Sequence, residues 1–399
     1  MNESPVVPAP RLAGALAIAT AVATVAWWLS GRPGEGPAFA FSWLAGAAFG
    51  FVIQRSRFCF LCILRDWVAA RDPRGLLAIL AALAVGTVGY MAVYGAWLPD
   101  PFAGRLPPDA HIGAVGWPLA VAAAVFGLGM ALSGACISAH LYRLGEGWPL
   151  APFGLLGTVA GFVLGFVTWP FMWTHGVRDA PVLWLPGLVG YGPTLLALLA
   201  LFGGLAVLLL RLGRRPVDVP VPPPSGLAQA VLGGRWPAWV GGLLVGMIGT
   251  VAYLRVGPLG VTAELGSAGR MLAADAGLIA DRLDGLDTLR GCIAAVRETV
   301  LSENGCFIFG LVAGALAGGI GGGQFRPRRP DGTEVARSLA GGVLLGWGAM
   351  TALGCTVGVL LSGTMAGAVS GLVFAVCCLA GCWAGLRFLP ARWGGADRA

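Results

Sequence analysis

Three of the nine cysteines stand beside residues that end or break helices. Cys59 follows Arg55, Ser56 and Arg57; Cys136 follows Ser133 and Gly134; Cys355 follows Thr351 and Gly354 and precedes Thr356 and Gly358. Irregular backbone at membrane depth is tolerated where protein buries it or where it lines a cavity, so these positions predict thiols on an internal surface. A thiol in apolar surroundings keeps its proton at neutral pH and presents a large, polarisable sulfur. Neutral S–H groups spaced along a path can hand a soft, sulfur-containing anion from one to the next, whereas thiolates would repel it. Weak binding at several sites suits conduction, because a tightly held solute would not leave. Arg57, Arg143 and Arg326, together with helix N-termini, are candidates for the positive potential that draws an anion to the entrances.

The other cysteines read differently. Cys377, Cys378 and Cys382 lie in an uninterrupted apolar run, where a thiol behaves as a small hydrophobe, and Cys292 and Cys306 bracket a more polar segment. Cys59 and Cys62 form the one Cys-x-x-Cys pair, a spacing that also suits a redox dithiol, so a membrane thiol-disulfide oxidoreductase stands as the alternative. Such an enzyme needs a second cysteine pair and a quinone pocket, and the sequence offers neither plainly. No metal is expected, because His111, His140 and His175 lie far apart and no second cysteine pair has ligand spacing. All 26 basic residues are arginine, which excludes chemistry on a lysine amine, including a Walker-type phosphate loop or a Schiff base. No cofactor and no enzymatic activity is expected.

These residues need a scaffold, and its composition belongs to a bilayer. Of 399 residues, 57% are hydrophobic and only 11% charged, against roughly 25% charged in soluble domains, which leaves too few polar groups to cover a water-facing surface. Continuous apolar runs predict helices rather than barrel strands. About ten spans are read, near 12 to 30, 41 to 56, 75 to 98, 115 to 137, 150 to 172, 191 to 211, 238 to 256, 305 to 323, 338 to 356 and 365 to 389. The first is long for a secretory signal, and Trp27 and Trp28 occupy the region of a cleavage pattern, so it is read as a membrane anchor. A net charge of +7 comes with arginines gathered in three connections, Arg55 to Arg74, Arg211 to Arg235 and Arg326 to Arg337, which predicts a cytoplasmic face for all three rather than a nucleic-acid partner.

The organisation is an all-α polytopic bundle in two halves. Residues 1–211 form the first half, the Pro- and Arg-rich stretch 212–236 the linker, and residues 237–399 the second half, in which 258–304 reads as interfacial or re-entrant short helices. A weak repeat supports this: Gly127 to Cys136 resembles Gly346 to Cys355, and upstream Trp43 to Phe58 resembles Gly310 to Arg326. Inversion of the halves conflicts with the charges, since Arg57 and Arg326 both favour the cytoplasm. Glycines repeat every fourth residue at Gly310 to Gly322, at Gly157 to Gly165 and at Gly363 to Gly371, predicting close helix packing on three helices and a route for a small solute only.

At Arg55-Ser56-Arg57-Phe58-Cys59-Phe60, at Leu132 to Ala139 with Leu141 to Gly147, and at Leu353 to Gly358, the sequence resembles the YeeE/YedE family of sulfur-transport membrane proteins. Gly260 to Glu264 and Gln324 to Arg326 extend the resemblance over most of the chain from about residue 41. The resemblance implies an hourglass-shaped bundle with pseudo-twofold inverted symmetry in the bacterial inner (plasma) membrane, and uptake of thiosulfate into the cytoplasm. It also implies Cys59, Cys136 and Cys355 as conducting thiols, with the solute first held at the periplasmic side near Cys136. A soluble TusA-type sulfur-carrier protein is the implied cytoplasmic partner. Some members are associated with selenium, so a selenium or other sulfur compound is the alternative cargo.

Overall fold

The computed structural model describes residues 7–214, 226–280, 282–286 and 302–388. Residues 215–225 of the expected linker, and 281 and 287–301 of the expected interfacial segment, including Cys292, lie outside the described residues.

The chain forms α1 (Ala9–Ser30), α2 (Gly36–Ser56), α3 (Phe60–Ala70), α4 (Arg74–Trp97), α5 (Trp117–Ser133), α6 (Ile137–Gly145) and α7 (Ala151–Met172). It continues through the short α8 (Leu185–Val189), α9 (Tyr191–Leu212), α10 (Ala238–Arg255), α11 (Ala263–Asp275), α12 (Glu303–Gly321), α13 (Gly332–Thr351), a π-helical segment Thr356–Gly363 and α14 (Val369–Phe388). Among the described residues nine stretches are long and apolar enough to cross a membrane, and a tenth arises if α13 and the π segment, bent by 42°, count as one broken span. The protein is a polytopic membrane helix bundle. Start and stop signals explain where the helices differ from the sequence reading. A capping box, with Asp331 accepting from the backbone and Glu334 reaching back, begins α13 several residues early, and the turn at Gly367 delays α14.

Two runs share one element order: long, short, long, long, short, long. The first is α2 to α7 and the second is α10 to α14 with the π segment as its second short element. Packing obeys the same correspondence. Helix α2 packs on α12 and α4 on α10; α7 packs on α13 and α5 on α14; α5 meets α13. Each pair maps onto another when the two runs are exchanged, which is what a pseudo-twofold axis between them requires. Element by element, α2 therefore corresponds to α10 and α4 to α12.

This alignment keeps the match of Cys136 with Cys355 and overturns the match of Trp43–Phe58 with Gly310–Arg326. Helices α2 and α12 are packing partners, not equivalents, and both are glycine-rich because they touch. A Cβ at Gly46, Gly50, Gly310 or Gly314 would fall on the backbone of the opposite helix. Without a water-driven hydrophobic force between helices in lipid, such close backbone approach is what holds them. Gly157 and Gly161 do the same against Leu339 and Val343. The third expected glycine face is not one helix: Gly363 ends the π segment, Gly367 turns the chain at φ +76° and Gly371 lies in α14.

The charge conflict disappears with the corrected alignment. The ends of α2, α9 and α12 and the starts of α4, α10 and α13 are joined at one end of the bundle by Arg214 N–H to the Arg71 carbonyl at 2.9 Å, Trp236 N–H to that of Arg55 at 2.9 Å and Arg326 N–H to that of Glu146 at 3.3 Å. All three arginine-rich connections thus share this arginine-rich end while the halves remain inverted. At the opposite end, single antiparallel bridges tie Ala114 to Val182 and Trp184 to Ala368.

Candidate functional site

Cys59, Cys136 and Cys355 are each the residue immediately before a short helix: α3, α6 and the π segment. Each arrives in the same way. Two residues earlier the chain enters the left-handed region, at Arg57 (φ 51°), Gly134 (φ 84°) and Leu353 (φ 59°), which stops the long helix. The cysteine is then extended and the short helix starts directly after it, with amides of that helix facing the thiol at Cys136 and Cys355. For Arg57 and Leu353 this conformation costs about 1 kcal/mol or more, a strain that persists where surrounding structure holds it, often at ligand sites.

All three thiols are fully buried. Cys59 lies in thiol-to-thiol contact with both Cys136 and Cys62. The Cys136 sulfur also meets the Ser138 hydroxyl at 3.3 Å, and the Ala139 amide faces it. Cys355 stands in a second cluster across the axis, faced by the amides of Val261, Val357 and Gly358 and by the Thr262 hydroxyl. Helix N-termini aimed at buried thiols create a site of positive potential without a titrating cation.

The three expected arginines separate. Arg143 is buried and sits in the site: its guanidinium donates to Cys62 Sγ at 3.2 Å and to the Gly134 carbonyl at 3.1 Å, and lies 4.6 Å from the Trp148 ring centre. Arg57 is half-buried at the helix break, and the Arg326 side chain is exposed beyond α12, so neither touches the thiols in this structure. All three lie toward the arginine-rich end. The opposite end instead opens into a cavity of about 240 Å³ lined by Ser42, Asp109, His111, Leu259, Ala263 and Glu303, so no expected arginine serves that entrance.

Helix α6 runs from Cys136 to Glu146, which belongs to the arginine-rich end, while the π segment after Cys355 turns toward the Trp184 bridge at the other. Cys136 is on the arginine-rich side of centre and Cys355 on the far side.

Other residues here were not singled out as site residues by the sequence. Gln54 donates to Glu146 at 2.9 Å and to Gln324 at 3.1 Å; Arg55 donates to Gln324 at 3.0 Å and to the carbonyls of Leu232 and Gly234; Arg235 pairs with Glu146 at 3.7 Å. This polar plug closes the arginine-rich end below the thiols. Arg55 was legible as part of a charge run, but only packing shows that it points inward. Cys378 and Cys382 are buried in the core as expected, and they back the site, Cys378 near Cys355 and Cys382 near Cys59 and Cys62.

Residues 55–384 match the family model described as sulphur transport. The chain is 28% identical over 343 residues to the thiosulfate transporter TsuA of Escherichia coli K12, covering 79% of this chain and 84% of that protein. It is 27% identical over 356 residues to the thiosulfate transporter TsuA of Spirochaeta thermophila, covering 85% of this chain and 96% of that one. A shorter match, 29% over 134 residues and 33% of this chain, is to the probable transporter YedE of Escherichia coli K12, of which it covers 31%. A multi-pass helix bundle and a family match that spans residues 55–384 together make this chain a member of the sulphur transport family, a transporter and not an enzyme.

Proposed function

We propose that this protein takes up thiosulfate across the bacterial inner (plasma) membrane into the cytoplasm, passing it between neutral thiols at the centre of the bundle. The observation that carries the reading is that Cys59, Cys136 and Cys355 are all fully buried, each delivered by a different broken helix, with Cys59 against Cys136 and Cys355 within electrostatic reach of Cys136. The arginine-rich end faces the cytoplasm by the positive-inside rule. The ion then enters from the cavity beside His111, meets Cys355 first, and passes to Cys136 and Cys59. There Arg143 balances its charge, and S–H groups donate weak hydrogen bonds to its sulfane sulfur. No covalent bond forms. Exit requires the plug of Gln54, Arg55, Glu146 and Gln324 to part, and a TusA-type carrier collects the ion at that face.

The test is uptake of labelled thiosulfate, sulfate and selenite into proteoliposomes, with and without a proton gradient. Cys136→Ala and Cys355→Ala are expected to abolish thiosulfate uptake and Cys377→Ala to retain it; equal uptake by all three refutes the relay. Preferred uptake of selenite would reassign the cargo. If Cys62→Ser stops uptake and traps a mixed disulfide with a partner protein, the dithiol reading replaces this one.

A further inference from the structure

The two halves do not carry the same chemistry at equivalent places. The shared element order sets the N-terminus of α3, Cys59, against that of α11, Thr262, and the N-terminus of α6, Cys136, against that of the π segment, Cys355. In the first half the two equivalent side chains touch, Cys59 on Cys136. In the second half the Thr262 side chain stands beside the Cys355 sulfur. A hydroxyl therefore occupies the fourth corner of an otherwise thiol-lined centre.

That hydroxyl is fully buried, and beyond the Cys355 sulfur it faces, its Oγ1 finds no hydrogen-bond partner among the described residues; the Oγ1 of Thr356, also buried, finds none there. Buried polar groups are almost always paired and a thiol is a weak partner, so a hydroxyl whose one neighbour is a sulfur keeps hydrogen-bonding capacity for a partner that is not part of the chain. The cavity is lined by Leu259, Gly260 and Ala263, the residues on either side of Val261 and Thr262. Amide N–H groups of Val357 and Gly358 converge on it as well.

We infer that Thr262 is a substrate-contacting residue, and that the Thr262–Cys355 corner holds the oxygen-bearing end of a small tetrahedral oxyanion while the Cys59–Cys62–Cys136 cluster reads its soft sulfur end. The inference rests on the transport reading above and deepens it. Hydroxyl and amide N–H groups are strong donors suited to oxyanion oxygens, whereas a thiol is a weak donor suited to a polarisable sulfur. Sulfate, which has oxygens alone, satisfies the first site and not the second, so it binds and competes without being carried.

The experiment uses the full-length protein in proteoliposomes and in detergent. In the wild type, sulfate should inhibit thiosulfate uptake and raise the melting temperature. Thr262→Val should raise the KM for thiosulfate about tenfold or more and abolish both sulfate effects, while Thr262→Ser stays within about threefold of wild type. Thr262→Cys covers the case in which the valine variant does not fold: it should retain thiosulfate uptake and lose sulfate competition. Unchanged KM in Thr262→Val, or unchanged sulfate competition in Thr262→Cys, overturns the inference. If the wild type carries no thiosulfate but sulfate stabilises it in a Thr262-dependent way, the cargo assignment falls and this site stands. Absence of both uptake and sulfate stabilisation in the wild type refutes both.

Discussion

Arg143 offers the sharpest test of how the site handles charge. Replacing it with methionine keeps a long apolar stem against Trp148 and removes the guanidinium that donates to Cys62 and to the Gly134 carbonyl. An anion lodged among the thiols would sit on the order of 6 Å from that charge. With an effective dielectric near 20, each unit of the anion's charge at that distance interacts by about 2.8 kcal/mol, or roughly a hundredfold in affinity, and thiosulfate carries two. Arg143→Met should therefore raise the KM for thiosulfate by about a hundredfold or more. Arg143→Lys, which keeps the charge and loses the planar fork, should fall between. The assay is initial-rate uptake into proteoliposomes across thiosulfate concentrations, with size-exclusion profiles and melting temperatures to confirm that each variant is folded. A well-folded Arg143→Met protein with KM within threefold of wild type would show that the guanidinium only braces the helix break, and the electrostatic argument would fail.

Three further outcomes follow from packing and burial. Gly314→Ala should cost about 1–3 kcal/mol and lower the melting temperature, because its Cβ would collide with the Ala47 backbone. Gly203→Ala, with nothing within 4 Å of its Cβ, should be neutral or slightly stabilising by the same thermal scan. His111, in the connection between α4 and α5, is held neutral by burial, which pushes it down to about 4, opposed by a hydrogen bond to the Leu259 backbone. Since the unfolded chain binds this proton near pH 6.5, stability is full above that value. It declines as pH falls toward 4, by about 2–3 kcal/mol at pH 4.5. His111→Gln should flatten that part of the melting-temperature profile, and an unchanged slope would show that His111 is not its source.

The inverted halves show where one-dimensional reading reaches its limit. Glycine-rich runs at α2 and α12 look alike because each must present a smooth face to the other, so similarity of composition reported contact rather than descent from one repeat unit. The Cys136 and Cys355 segments look alike for the other reason, a shared left-handed stop followed by a short helix. Only the packing correspondence separates the two cases.

Composition and apolar run length determined the class, the span positions and the membrane setting, because lipid forces each spanning segment to satisfy its own backbone and to be apolar along its whole length. Helix-breaking residues before Cys59, Cys136 and Cys355 likewise marked those thiols, since a local stop signal is written in adjacent residues. Which arginine faces inward, which thiols touch, that Thr262 completes the set and that Cys136 lies on the arginine-rich side were decided by tertiary structure alone. Those facts depend on contacts between segments 80 to 270 residues apart, such as Arg143 with Cys62 and Gln54 with Gln324. No spacing along the chain encodes a meeting that the pseudo-twofold packing creates.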